Sequence, residues 1–136
     1  MRVKFKNTKK LLVTKTFVWS ALSFLDIAHE QDATITIKFV NTLDKGATDG
    51  NCSGDLDSVD ICIATGGRPF LSQLRALSHE LIHARQFLAG ELSPELTCWK
   101  GEDFSETEYL EQPWEIEAHT YEDRLFMEAF PWHIDV

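Results

Sequence analysis

His79-Glu80-Leu81-Ile82-His83 places two imidazoles four residues apart with a carboxylate between them. On a helix, positions i and i+4 share a face, so both rings can reach one ion. Zinc accepts neutral imidazole nitrogen, and Glu80 stands where it can take a proton from a zinc-activated water. The chemistry implied is metal-assisted hydrolysis, with the peptide bond as the first expected target. Catalytic zinc usually keeps three protein ligands and one open position, so a third ligand is required. Trp114-Glu115-Ile116-Glu117-Ala118-His119 offers one. Glu115 and His119 are one turn apart on one helix face. Glu115 is the expected ligand, and His119 is placed to orient a ligand by hydrogen bonding. Glu117 projects around toward the apolar side and is the alternative ligand. His29 and His133 lie outside both segments.

These residues need two helices to carry them. Leu71, Leu74, Leu77, Leu81, Ala84 and Leu88 recur at steps of three and four, which predicts a helix over about 70–89 with an apolar stripe. His79 and His83 fall on the opposite side, toward a cleft. Gly90 stops this helix, and Pro113 suits the first turn of a final helix to about Ala129. Trp114, Ala118, Tyr121 and Leu125 form the face that docks it. Upstream, Arg2–Lys6, 33–40 and 58–64 alternate or are β-branched and read as strands. A helix capped by Thr14 or Thr16 runs to about Gln31, with Phe17, Ala21, Leu22, Leu25 and Ala28 as its stripe. Residues 41–54 read as a turn-rich loop, and 91–111 as polar and irregular. The order predicts one α+β domain over 1–136, with a small amino-terminal sheet and about three helices.

Composition narrows the partners. The net charge of −9 argues against nucleic acid, whose phosphates are held by Lys and Arg. The charge is uneven: residues 1–15 carry Arg2, Lys4, Lys6, Lys9, Lys10 and Lys15 without an acid, whereas 102–128 carry ten acids and only Arg124 as a base. A solvated strand and turn is the simplest account of the basic segment. Cys52, Cys62 and Cys98 make an odd count with no C-x-x-C pair, which predicts free thiols in a reducing compartment. No apolar run is long enough to span a bilayer. Phe17–Leu25 follows a basic start, but the charges run deep into it and no cleavage region follows. A cytoplasmic protein is expected, in the host cytoplasm if phage-encoded.

Taken together, His79 to Gln86, Trp99-Lys100-Gly101, Tyr109 and Pro113-Trp114-Glu115-Ile116-Glu117-Ala118 resemble the gluzincin class of zinc metallopeptidases. The compact length is similar to its minimal members, the minigluzincins. The longer pattern is closer still to small metallopeptidase-like proteins of bacteria and phages. The resemblance covers about residues 58–128. It implies a zincin-like fold, Zn2+ bound by His79, His83 and Glu115, and Glu80 as general base. It also implies that an edge strand before the motif helix, here 59–64, holds a peptide or protein substrate in extended form. Many gluzincins place an aspartate or asparagine one turn after the ligand glutamate; this chain has His119. Tyr109 is a candidate to donate to the oxyanion, with a packing role as the alternative. Trp99 and Trp114 read as core or hinge aromatics. The ligand set alone does not separate a peptidase from a zincin-like binding module without activity, from a zinc hydrolase of a non-peptide amide, or from a metal-free interaction protein.

Overall fold

The computed structural model describes residues 1–133. Three strands, β1 (Arg2–Lys6), β2 (Thr34–Val40) and β4 (Ser58–Ala64), lie parallel, and β3 (Gly50–Gly54) joins antiparallel, in the order β1-β2-β4-β3. Side chains alternate across this sheet with period two. Ile35, Ile37 and Phe39 of β2 are buried, as are Val59, Ile61 and Ile63 of β4. Thr34, Thr36 and Lys38, with Ser58, Asp60 and Cys62, face the other way and stay partly or fully exposed. Only one face is therefore covered, and helices cover it. Parallel neighbours need a crossover, which α1 (Leu11–Phe24) provides between β1 and β2.

The motif residues ride on α2 (Phe70–Leu88), and the carboxylate segment on α3 (Pro113–Ala129). Phe17 and Leu22 of α1, Leu74, Leu77 and Leu81 of α2, and Trp114 and Phe126 of α3 meet in one core with the sheet. Burying each such side chain contributes about 1.5–3 kcal/mol, and this burial fixes α2 against α3. The result is a mixed α+β arrangement with a small mixed sheet and three helices, and no helix among the described residues is long and apolar enough to cross a membrane.

Four sequence expectations are corrected. First, α1 starts at Leu11 without a side-chain cap and stops at Phe24. Thr14 is buried within it, and the Thr16 hydroxyl donates to the Leu12 carbonyl at 2.8 Å. Its end is set by Asp26, whose φ of 60° leaves the helix, while the Ile27 N–H closes onto the Leu22 carbonyl. Leu25 and Ala28 continue the helical spacing beyond that turn, which is why the sequence reads longer than the helix.

Second, the last five residues of the expected loop 41–54 form β3. Third, β3 rather than 59–64 is the sheet edge, because β4 lies between β2 and β3. A Cβ on Gly54 would come within 2.8 Å of the Ser58 carbonyl oxygen, so close pairing with β4 demands glycine there. Fourth, 91–111 is less irregular than its composition: β5 (Cys98–Trp99) pairs with β6 (Glu102–Asp103), and Tyr109–Glu111 makes a 3₁₀ turn that leads into α3. Trp99 and Trp114 are both core residues. Cys52, Cys62 and Cys98 are all free thiols.

Candidate metal centre

Beyond its first turns α2 is covered on nearly every side. Its Leu stripe faces the core from Leu74 through Ala84, whereas Leu71 at the start is 41% exposed. The opposite side, expected to face a cleft, meets α3 and still lines two cavities, with His79, Glu80 and His83 only 6–8% exposed. Glu115 enters from the first turn of α3, where the helix dipole favours a negative charge. Its Oε1 lies 3.1 Å from His79 Nε2, and its Oε2 lies 3.2 Å from His83 Nε2. The two Nε2 atoms are themselves 3.1 Å apart.

The far nitrogens decide which atoms carry protons. Gln86 is fully buried, and its Nε2 donates to the Trp114 carbonyl at 3.0 Å and to Glu117 Oε1 at 3.2 Å. With its donors so used, Gln86 Oε1 accepts from His83 Nδ1 at 2.7 Å. His79 Nδ1 lies 3.4 Å from Glu122 Oε2, which can only accept when ionised. With Nδ1 engaged by Gln86 in His83 and facing Glu122 in His79, each ring turns its Nε2 to the Glu115 carboxylate and, once that nitrogen gives up its proton, can offer its lone pair to an ion. Two imidazole Nε2 atoms and a carboxylate thus converge on one point, an arrangement that suits a cation. Ligands about 2.0–2.1 Å from a tetrahedral ion stand about 3.3–3.4 Å apart, close to the separations found. His79, His83 and Glu115 therefore fit a small divalent cation.

Electrostatics are consistent with that set. Burial pushes the Glu115 carboxyl up, but hydrogen bonds to His79, His83 and Tyr109 outweigh it and hold the group far below the usual carboxylate range. Burial works against the charge on His83, yet its hydrogen bond to Glu115 leaves it above the ordinary imidazole value. Glu80 is raised by burial, with the two histidines opposing. It lines two adjoining cavities of about 490 and 340 Å³, which share Thr48, Gly50, His79, Glu80 and Tyr109. Gly50 keeps that cleft open at its strand side: a Cβ there would sit 3.2 Å from Glu80 Cγ and 3.0 Å from Ile63 Cδ1.

The remaining expected residues are placed as follows. Tyr109 is half exposed, but its hydroxyl hydrogen-bonds Glu115, and burial together with that charge pushes its pKa up. The His119 ring lies tilted against that of His79, with centroids 4.7 Å apart, and meets Glu122 at 3.2 Å. Glu122 lies between the two rings, its Oε2 3.4 Å from His79 Nδ1 and its Oε1 3.2 Å from His119 Nδ1. Glu117 turns to Gln86 rather than to the imidazoles. His29 lies on the surface beside Asp26 and Glu30, and His133 is exposed. Cys52 lines the inner cavity, and burial, followed by the charge of Glu80, keeps its thiol protonated and a poor ligand.

Sequence reading missed Glu122 and Gln86. Glu122 lies seven residues, two turns, after Glu115 on the same helix face. Gln86 lies three residues after His83, one turn on. Those spacings were the available signal. Comparison with known protein families, with curated proteins and with solved structures finds no match.

Proposed function

We propose that this chain is a zinc-dependent peptidase of the gluzincin kind, with a zincin-like fold. The observation that carries the reading is the convergence of His79 Nε2, His83 Nε2 and the Glu115 carboxylate beside Glu80, with both Nδ1 atoms held by acceptors. The nitrogen and oxygen ligand set suits zinc. When bound there, zinc supplies a Lewis acid that acidifies water and polarises a carbonyl.

The chain's own groups do the rest. Glu80, buried and with its pKa raised, takes the proton of the attacking water and hands it to the departing amine. Tyr109 donates its hydroxyl to the developing oxyanion once substrate displaces its bond to Glu115. Substrate lies along β3, the edge strand whose Gly50 and Cys52 line the cleft, by backbone pairing. The antiparallel edge strand beside the motif helix, followed by a helix carrying the glutamate, supports the zincin-like assignment.

The test is cleavage of a peptide library by the chain and by Glu80→Gln. The variant is expected to retain zinc and melting temperature while losing about 10²–10⁴-fold in rate. Equal cleavage by both proteins would overturn the peptidase reading. Captured but uncut peptides would favour a binding module, and cleavage confined to non-peptide amides would favour the other hydrolase.

A further inference from the structure

The basic segment 1–15 has no part in the metal centre, yet its end borders a cavity built much as ligand sites are. β1, β2 and β4 are parallel, so their carboxyl ends at Lys6, Val40 and Ala64 share one edge of the sheet. α1 follows β1 and α2 follows β4, which brings both helix amino-termini to that edge. Ligands of open sheets with this layout bind outside the carboxyl ends of the strands.

A cavity of about 500 Å³ lies there, within the size range of small-molecule sites, and its lining includes Thr8, Lys9, Thr14, Phe39, Val40 and Phe70. Thr14 is fully buried and lines this cavity, and its hydroxyl has no hydrogen-bond partner. The Thr8 hydroxyl, also buried at its oxygen, has none either. Buried hydroxyls are nearly always satisfied, so two that share one cavity point to something that binds there. The first turn of α1 has no side-chain cap and no acid, and its first intrahelical donor is the Thr14 N–H, to the Lys10 carbonyl. The N–H groups at this end are thus available to an anion. Lys9 adds positive charge at the rim, in a chain whose net charge is −9, and the Lys10 ammonium lies over the Phe70 ring at 4.8 Å. Phe39, Val40 and Phe70 supply the apolar part of the lining.

We infer that this cavity is a second binding site, for a small phosphorylated ligand with a flat apolar body. The phosphate sits between Lys9, the two threonine hydroxyls and the first N–H groups of α1, and the body lies against Phe39, Val40 and Phe70. The site is separate from the metal cleft. Phe70 and Gln73 line it, whereas Ser72, Arg75 and His79 line the cleft on another side of α2. Phe70 and His79 are nine residues apart, about 13 Å along the helix.

The test is a titration of the full, zinc-loaded chain with phenyl phosphate, inorganic phosphate and phenol, followed by backbone amide resonances. Phenyl phosphate is expected to bind more tightly than phosphate, phenol not to bind, and the shifts to fall on Thr8 to Thr14 and Thr65 to Gly66. Lys9→Gln and Thr14→Val should each weaken binding about tenfold, as loss of a hydrogen bond to a charged group does. Thr14→Val should also leave the melting temperature of the ligand-free chain unlowered, because it removes an unpaired hydroxyl. If Thr14→Val fails to fold, Thr8→Ala and the exposed Lys9→Gln decide the matter. No shifts at millimolar phenyl phosphate, shifts confined to the surroundings of His79 and Glu80, or affinity indifferent to the variants (an adventitious ion only) would each overturn the site.

Discussion

His83 can lend only one nitrogen to an ion because Gln86 holds the other, and Glu122 does the same for His79. This makes a residue-level prediction with an internal control. Glu115→Gln is expected to lose the metal, since an amide is a poorer ligand than a carboxylate. Glu122→Gln should keep the metal at about 10–100-fold lower affinity, the usual effect of loosening a ligand's outer partner. Glu117→Gln should leave affinity nearly unchanged, because an amide oxygen can still accept from Gln86. Competition with a metal-sensitive chelator dye reads all three, and a metal-free Glu117→Gln beside a fully loaded Glu115→Gln would reverse the ligand assignment. At this scale much was legible beforehand. Spacing alone put His79 and His83 on one side of a helix with Glu80 beside them, and the structure brings Glu115 to the two imidazoles. Gln86 and Glu122 were not legible, because a glutamine or glutamate on a helix becomes an acceptor for a given imidazole only after two helices have docked.

The elements divide in the same way. β1, β4, α2 and α3 follow from period and punctuation, since alternation, Gly90 and Pro113 are local signals. β3 does not, because Gly50-Asn51-Cys52-Ser53-Gly54 has little strand propensity and exists as a strand through its pairing with β4. Its hairpin is held by Asp55, whose Oδ1 accepts from the N–H groups of Asp57 and Ser58 at 2.9 Å each. Those bonds lower the Asp55 pKa, so the ionised form stabilises the hairpin above the unfolded aspartate value, about 3.9, and the contribution is lost as pH falls through the lower folded value. Asp55→Ala is therefore expected to melt at a lower temperature than the parent near neutral pH and to converge on it in acid. Melting curves taken across that range check the sign, and a gap that widened on acidification would show that the turn is held another way.

For the molecule as a whole, the candidate metal site is also a joint. α2 and α3 meet through apolar residues such as Leu81, Trp114 and Ala118, but at the centre of their contact lie two imidazoles, a carboxylate and Glu80, none more than 8% exposed. Without a cation the imidazole Nε2–H groups donate to the Glu115 carboxylate; with one, all three groups are bound as a set. An ion that binds the folded chain and not the unfolded one stabilises it by about 2.7 kcal/mol at a free concentration 100 times its Kd. For a chain of 136 residues that corresponds to a rise in Tm on the order of 10 °C. Chelation is therefore expected to lower Tm by that order, and added zinc to restore it, whereas Glu115→Gln should melt at one temperature with or without chelator. Hydrogen exchange locates the effect: loss of the ion should speed exchange in the first turns of α3 and around His79 more than in β1 and β2, which pair far from the joint. A chain whose Tm ignores both chelator and zinc has no metal at this position, and the convergence of Nε2 atoms would then be held by a shared proton alone.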